Sequence, residues 1–209
     1  MNKKPLLWDK PADFNLILKH LQANQLVIST TDTVLGILGL FCEDIKNNLD
    51  AIKQRSSKPY IILIDKIETI NYFLDKPLCP DLYQFLEQAW PGPLTIIIKA
   101  GVHIPQWAQS PEGTIALRFP RHEGLSKLLA ICGMLFSTSA NRTGQQTPST
   151  YQELDSVFLE NLKISIIVDS LTKSSHTPST IVDFSSRIPR IIRVGAYHSA
   201  ELDRLCRKK

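Results

Sequence analysis

Apolar residues along this chain recur at two spacings, one typical of helices and one typical of strands. Intervals of three or four residues, as at Phe14, Ile17 and Leu21, place apolar side chains on one face of a helix. The helices predicted in this way are residues 14–21, 45–55, 67–74, 81–90, 125–129 and 151–162. Short apolar or alternating runs predict strands at residues 25–29, 60–64, 94–99, 114–119, 134–137, 164–169, 180–184 and 190–194.

The order of these elements predicts the fold class. Helices and strands are interleaved from start to end, which indicates an α/β sheet covered by helices. The continuous apolar run Tyr60–Ile64 is typical of a strand buried on both faces. Short connections near the end indicate a twisted, mostly mixed sheet. Since no repeat or Gly/Ser-rich linker divides the chain, we expect one domain over residues 1–209.

Composition excludes several classes of protein. The chain is 43% hydrophobic and 21% charged, which suits a globular protein with one sizeable core. Its apolar runs are too short for a signal peptide or a membrane span, so we expect a cytoplasmic protein without a membrane partner. The scattered cysteines have no zinc-site spacing and are expected to be reduced thiols. They are Cys42, Cys79, Cys132 and Cys206.

The charge balance carries less information. A net charge of +4 is compatible with an anionic ligand but is too small to indicate a nucleic-acid surface. Several of the cations lie in the tail, residues 204–209, which we expect to be a solvated and frayed terminus.

Polar residues cluster where predicted strands end, which is where ligands bind in α/β sheets. The sequence contains no Gly-rich phosphate loop, so a phosphate site would have to use side-chain cations. Lys53, Arg55 and Lys58 lie between a helix and a buried strand. They fit a polyphosphate clamp and a solvated helix end equally well.

The other polar segments also have two interpretations each. Residues 29–36 and 137–144 are rich in hydroxyls and fit either a small polar ligand or ordinary turns. Arg118 lies on a strand whose alternate face is apolar, so it needs an anion, either a ligand carboxylate or an internal Asp or Glu. Residues 178–183 and Arg193 are weak signals on their own.

Taken in order, seven short segments resemble the threonylcarbamoyl-AMP synthase family, whose domain is called YrdC-like. The resemblance covers about residues 12–197, and an ordered series of motifs is far more specific than any one of them. The segments are Thr31-Asp32-Thr33-Val34 with Gly36, Lys53-Gln54-Arg55, residues 90–95, Leu117-Arg118-Phe119-Pro120, residues 139–144, residues 178–183 and Arg193-Val194-Gly195-Ala196.

Some positions depart from the family pattern. Thr30 and Leu35 replace a proline and a tyrosine in the first motif, so we expect a substrate pocket of different shape. Ser56 replaces a proline in the second motif, the loop after it is one residue shorter, and Leu63 stands where some members carry histidine. We expect the short form of the family, without an additional C-terminal domain.

The resemblance implies a YrdC-like fold around a deep ligand cavity, and a nucleotidyl transfer. It implies that L-threonine, bicarbonate or CO2, and ATP give threonylcarbamoyl-AMP and pyrophosphate. ATP is then a substrate, with Mg2+ expected on its phosphates. The product would pass to the threonylcarbamoyl transferase machinery that modifies tRNA.

The resemblance also implies roles for individual residues. Lys53 and Arg55 are the expected catalytic residues, and no residue is expected to ligate a metal. The expected ATP-binding residues are Lys53, Arg55, Lys58, Thr114, Ser139, Asn141, Thr147 and Arg193. The expected threonine-binding residues are Thr31, Thr33, Arg118, Ser137 and Ser179.

Two other classes of function stay open. An RNA-binding YrdC-like module would show RNA affinity that falls steeply with salt and would release no pyrophosphate. A paralogue with altered carbamoyl-transfer activity is the other alternative. Lys53, Arg55 and Arg118 argue against a loss of activity, whereas Leu35 and the shortened loop argue for one.

Overall fold

The computed structural model describes residues 5–54, 59–142, 144–148, 150–154, 165–168 and 177–207. The helices are α1 (Pro11–Gln22), α2 (Glu43–Lys53), α3 (Pro80–Ala89), α4 (Glu123–Cys132) and α5 (Ala200–Arg207). The strands are β1 (Leu6–Leu7), β2 (Val27–Ser29), β3 (Gly36–Leu40), β4 (Ile61–Leu63), β5 (Leu94–Lys99), β6 (Thr114–Arg118), β7 (Leu135–Ser139), β8 (Ser165–Val168), β9 (Thr180–Asp183) and β10 (Arg190–Arg193). Short 3-10 helices cover Ile67–Phe73, Gln106–Ala108 and Tyr151–Glu153.

These strands form one mixed sheet in the order β1-β8-β2-β3-β7-β4-β6-β5-β9-β10. The parallel pairs are β1 with β8, β2 with β8, β4 with β6, and β5 with β9. The other neighbours are antiparallel. The predicted α/β fold with a mixed sheet is therefore confirmed.

The apolar core lies on both faces of the sheet because neighbouring residues of each strand point to opposite sides. On one face, Ile28, Ile62 and Phe136 pack with side chains of α2, α3 and α5. On the other face, Val27 and Leu63 pack against α1 and α4. Burial on both faces explains why the central strand β4 is continuously apolar.

Prolines and a histidine side chain set the ends of α3 and the start of α4. Pro80 begins α3 at a position where no backbone N–H is needed, and the helix ends at Ala89, just before the Pro91-Gly92-Pro93 turn. At α4, the ring of His122 accepts a hydrogen bond from the backbone N–H of Leu125 at 3.2 Å, which caps the first turn. Among the described residues, no helix is long and apolar enough to cross a bilayer.

Several elements of the structure differ from the sequence prediction. Strands β1 and β3 were not predicted, because β1 has two residues and β3 carries two glycines that weaken a strand signal. Gly39 is required by packing, since a Cβ there would lie 2.5 Å from Cγ2 of Ile45 in α2. Residues 67–73 form a 3-10 helix instead of an α-helix. Most of the helix predicted over residues 151–162 lies outside the described residues.

The prediction of a frayed tail was wrong for residues 204–207. They belong to helix α5, whose Leu202 is 3% exposed and packs in the core beside the partly buried Leu205 and Cys206. The three apolar side chains are spaced three or four residues apart or adjacent, so they share one helix face among charged neighbours. The neighbouring basic residues made this apolar face difficult to detect from the sequence.

Packing of α5 can be tested by truncating its buried side chain. We expect Leu202→Ala to lower the free energy of unfolding by about 2–4 kcal/mol, because it leaves a cavity in the core. Urea titration followed by circular dichroism measures the loss. Arg204→Ala, on the exposed face of the same helix, is the matched control and should change stability by less than about 0.5 kcal/mol. Equal stability of both variants would show that α5 does not pack as described.

Candidate active site

A cavity of about 590 Å³ opens beside the ends of the central strands. Its floor is apolar and includes Ile61, Ile97 and Ala116, from three adjacent strands. Many of the sequence-predicted site residues line it. They are Thr31, Thr33, Arg118, Ser137, Ser139, Thr147, Ser179 and Arg193. Segments far apart in the sequence thus meet at one site.

The turn after β2 is both an ordinary hydroxyl-stabilised turn and part of the cavity wall. The hydroxyl of Thr31 accepts a hydrogen bond from the backbone N–H of Thr33 at 3.0 Å and donates one to the carbonyl of Val34 at 2.7 Å. The hydroxyls of Thr31 and Thr33 are 3.2 Å apart. The two interpretations offered by the sequence are therefore compatible, since the same bonds that form the turn orient it toward the cavity.

Arg118 lies at the end of β6, is 5% exposed and lines the cavity. Its Nε donates to the carbonyl of Gly92 at 3.2 Å, and its Nη1 donates to the hydroxyl of Thr33 at 2.9 Å. Its Nη2 lies 2.6 Å from Oδ1 of Asp32. Burial lowers the pKa of this guanidinium, and the neighbouring carboxylate partly offsets that effect. Arg118 thus has an internal acidic partner and also faces a ligand-sized cavity.

Arg193, at the end of β10, is the second guanidinium at the cavity. It donates to the carbonyl of Ser179 through Nε at 3.0 Å and Nη2 at 2.8 Å, and Nη2 also donates to the Ser179 hydroxyl at 3.0 Å. Partial burial lowers the pKa of Arg193, and the positive charge of Arg118 lowers it further. The two guanidiniums therefore repel each other across the cavity, and an anion between them would relieve this repulsion.

A close backbone contact keeps Ser179 and Arg193 in register. Gly195 packs so tightly that a Cβ there would lie 2.3 Å from the carbonyl oxygen of Pro178. The hydroxyl of Thr180 accepts from the N–H of Gly195 at 3.0 Å and from that of Tyr197 at 3.1 Å. The segment after β10 is thus fixed directly against the loop that carries Ser179.

Lys53 is 3% exposed and lies behind the cavity wall, outside the lining itself. Its ammonium donates to the carbonyl of Ser139 at 2.8 Å, to the side-chain oxygen of Asn141 at 3.1 Å and to the Asn141 carbonyl. The Ser139 hydroxyl donates to the same Asn141 oxygen at 2.6 Å. Lys53 therefore organises the loop after β7. Its predicted partners Arg55 and Lys58 lie outside the described residues.

The structure does not bring Thr114 to this cavity. Thr114 begins β6, and its hydroxyl lies 2.8 Å from the hydroxyl of Ser110. A strand rises about 3.3 Å per residue, so Thr114 lies roughly 13 Å from Arg118 at the other end of β6. Sharing a strand face with Arg118 is not enough to reach the same site.

The positions that depart from the family pattern have different surroundings. Leu63 lines the cavity, so the position of the histidine found in some relatives is part of the site. Leu35 is buried in the core and is not among the lining residues, so it does not contact the cavity directly, and the expected difference in pocket shape stays a prediction. Thr30 is also buried, and its hydroxyl accepts from the Trp8 indole N–H at 3.3 Å.

Several lining residues carried no recognisable functional signal in the sequence. The apolar Ile97, Ile181 and Ile192 form part of the wall, but an apolar residue in a strand signals core as readily as pocket. Ala116 was detectable, since strand alternation places it on the face of Arg118. Among the described residues, no three His, Cys, Asp or Glu side chains converge to hold a metal ion.

The chain is similar to known proteins over most of its length. The model of the Sua5/YciO/YrdC family, described as "Telomere recombination", matches residues 19–195. The chain belongs to this family. It is 34% identical to the threonylcarbamoyl-AMP synthase of Vibrio cholerae over 171 residues, which cover 77% of this chain and 87% of the relative. It is 32% identical to that of Xylella fastidiosa over 158 residues, or 72% and 83% of the two chains.

Solved structures of the family share the fold. The structure of P. abyssi Sua5 complexed with L-threonine superposes with a TM-score of 0.80 at 23% identity, covering 94% of this chain and 58% of that one. E. coli YciO superposes with a TM-score of 0.76 at 16% identity, covering 90% and 92%. At these identities the likeness establishes the Sua5/YciO/YrdC fold alone.

The contact at Gly195 predicts a link between backbone packing and the cavity. We expect Gly195→Ala to lower the free energy of unfolding by about 1–3 kcal/mol, because the new methyl group must displace backbone and not a flexible side chain. Thermal unfolding measures the change. Gly36→Ala is the control for stability, since a Cβ there meets its neighbours at an ordinary 3.5 Å. An unchanged melting temperature in Gly195→Ala would contradict the close packing.

Proposed function

We propose that this chain is a threonylcarbamoyl-AMP synthase, which converts L-threonine, bicarbonate or CO2, and ATP to threonylcarbamoyl-AMP and pyrophosphate. The observation that carries the proposal is a cavity lined by two guanidiniums, Arg118 and Arg193, together with several hydroxyl side chains. Such a site suits a ligand with several anionic groups and hydroxyls. The curated relatives named threonylcarbamoyl-AMP synthase support the same activity.

The amino-acid substrate is proposed to bind at the Arg118 side of the cavity. A guanidinium can pair with a carboxylate through parallel hydrogen bonds, and Arg118 is held in place by Gly92 and Thr33. Thr31, Ser137 and Ser179 line the same cavity and are proposed to bind the remaining polar groups of threonine. The threonine complex of P. abyssi Sua5 supports an amino-acid site in this fold.

The triphosphate of the nucleotide is proposed to bind beside Arg193, which lines the cavity. Ser139 and Thr147 line the same cavity and are proposed to contact the rest of the nucleotide, while Lys53 and Asn141 support the loop that carries Ser139. Arg55 and Lys58 remain proposed triphosphate ligands on the strength of the sequence motif. Thr114 is left out of the proposed site because its hydroxyl is engaged with Ser110 at the far end of β6.

The reaction needs positioning and charge neutralisation more than a protein nucleophile. The neutral threonine amine bonds to the carbon of CO2 and loses a proton to solvent, or bonds to the carbon of bicarbonate with release of water, and either route gives a carbamate. A carbamate oxygen then bonds to the α-phosphorus of ATP while the bond to pyrophosphate breaks. Because the carbamate is already anionic, no serine–histidine or cysteine–histidine pair is required. Arg193, together with Arg55 and Lys58 of the sequence motif, is proposed to stabilise the negative charge that the α-phosphate oxygens carry in the transition state.

Mg2+ is proposed to enter with the triphosphate and not on protein carboxylates. Among the lining residues that the structure describes, only Asp32 carries a carboxylate, and it is already paired with Arg118. The product is proposed to pass, in the cytoplasm, to the machinery that transfers the threonylcarbamoyl group to tRNA.

The activity can be tested directly with purified protein. We expect ATP-dependent pyrophosphate release that requires both L-threonine and bicarbonate. Serine should be a poorer substrate because it lacks the methyl group. Valine should be almost inactive, because a pocket that binds the threonine hydroxyl leaves polar groups unpaired around valine. Equal rates with threonine and valine would contradict the assignment, and binding of RNA without pyrophosphate release would favour the RNA-binding alternative.

Arg118 distinguishes a substrate-binding role from a structural one. Arg118→Lys keeps a positive charge near Asp32 but loses the planar fork, so we expect the Kd for threonine to rise about tenfold or more, with ATP affinity nearly unchanged. Calorimetric titration of both substrates measures this. Arg187→Lys, at an exposed position outside the cavity lining, is the control.

The structural alternative predicts a different pattern for the same variant. If Arg118 served only as the partner of Asp32, its replacement would reduce stability without a specific effect on threonine. Thermal unfolding of Arg118→Lys therefore accompanies the titration. A variant that melts much earlier than the wild type yet binds threonine normally would show that Arg118 belongs to the scaffold.

A further inference from the structure

The carboxylate of Asp32 is placed where a substrate carboxylate would meet it. Asp32 lines the cavity, its side chain is 11% exposed, and its Oδ1 lies 2.6 Å from Nη2 of Arg118. Its Oδ2 accepts a hydrogen bond from the backbone N–H of Arg121 at 3.0 Å. The carboxylate is thus anchored on one side by the backbone and on the other by the guanidinium that is proposed to bind substrate.

The contact between the two charges is an ion pair whose atoms are poorly aligned for a hydrogen bond. Oδ1 of Asp32 and Nη2 of Arg118 are both buried, and neither forms a well-directed hydrogen bond within the described part of the chain. By contrast, Nε and Nη1 of Arg118 have oxygen partners in Gly92 and Thr33. The positive charge of Arg118 is therefore balanced at Asp32 mainly by Coulomb attraction.

This arrangement affects which carboxylates the site can accept. Any anion that reaches the guanidinium of Arg118 comes within a few ångströms of the Asp32 carboxylate, in a cavity where water screens charges poorly. A plain carboxylate is attracted by Arg118 and repelled by Asp32. An amino acid carries a positive ammonium group beside its carboxylate, and Asp32 attracts that group.

We propose that Asp32 is a specificity-determining residue that selects amino acids with a free ammonium group over carboxylates that lack one. The inference rests on the proposed function, because it assigns amino-acid binding to the Arg118 side of the cavity. This role explains why an acidic side chain lines a site that is proposed to bind the carboxylate of the substrate. Arg118 recognises the carboxylate, and Asp32 discriminates in favour of the ammonium group, which loses a proton to solvent to give the amine that the reaction then carbamoylates.

A purely positioning role for Asp32 makes a different prediction. If Asp32 only oriented Arg118, removal of its charge would weaken the binding of every carboxylate by the same factor. If Asp32 selects the ammonium group, removal of its charge should weaken the binding of an amino acid and strengthen the binding of an analogue without the amine. The two roles are thus separated by the sign of one of the two effects.

The test uses two ligands of equal size, L-threonine and 2,3-dihydroxybutanoate of the same configuration, in which a hydroxyl replaces the amine. Calorimetric titration without ATP or bicarbonate measures binding alone. We expect the wild-type protein to prefer threonine, and Asp32→Asn to reduce that preference about tenfold or more, with weaker binding of threonine and tighter binding of the hydroxy acid. Asp32→Glu should retain the preference.

Controls separate this effect from loss of the fold and from failure of the proposed function. Asp75→Asn removes a half-exposed carboxylate outside the cavity lining and should leave the preference unchanged. If Asp32→Asn binds both ligands more weakly by the same factor, or keeps the wild-type preference for threonine, the inference is overturned while the synthase assignment stays intact. Should Asp32→Asn not fold, a wild-type protein that binds both ligands equally would overturn it. A wild-type protein that binds no threonine would contradict the proposed function itself.

Discussion

Burial of the Arg118 guanidinium is the constraint around which the site is organised. A buried cation is costly unless it is paired and hydrogen-bonded, and two separate segments supply the partners. Gly92 comes from the turn after α3, while Thr33 and Asp32 come from the turn between β2 and β3. Loss of one partner of such a buried pair costs about 3–5 kcal/mol, so the segments that form the cavity are held together by the charge that it presents.

The second guanidinium is fixed in a different way. Arg193 is held by the carbonyl and the hydroxyl of Ser179, both uncharged, so its positive charge is not neutralised by these contacts. Arg118 is balanced by Asp32, whereas Arg193 remains a net positive charge facing the same space. Among the described lining residues, Arg118 is therefore part of a nearly neutral pair, and Arg193 is a net positive charge. That asymmetry fits the proposal that a zwitterionic amino acid binds beside Arg118 and a polyanionic phosphate chain beside Arg193.

The sequence predicted those parts of the fold that depend on local pattern. Strand β5 was predicted with the observed bounds, Leu94–Lys99, because its apolar run is bounded by Pro93 and Gly101. The pattern could not reveal β3, whose Gly39 is set by a contact with α2 about six residues further on. It could not decide the partner of Arg118 either, because an internal acid and a ligand carboxylate leave the same sequence signature. Both questions depend on tertiary contacts, which local periodicity does not encode.

Strand β6 shows how closely the core and the site depend on one another. Its side chains alternate, so that Ile115 and Leu117 enter the core while Ala116 and Arg118 face the cavity. A shift of one residue in its pairing with β4 and β5 would exchange the two sets, burying the guanidinium among apolar side chains and exposing the leucine. The hydrophobic effect that fixes this register therefore also fixes the position of the charge. Arg118 in turn holds Asp32, Thr33 and Gly92 in place through its contacts. The geometry of the site therefore follows from the packing of the opposite face of β6, which lies in the core.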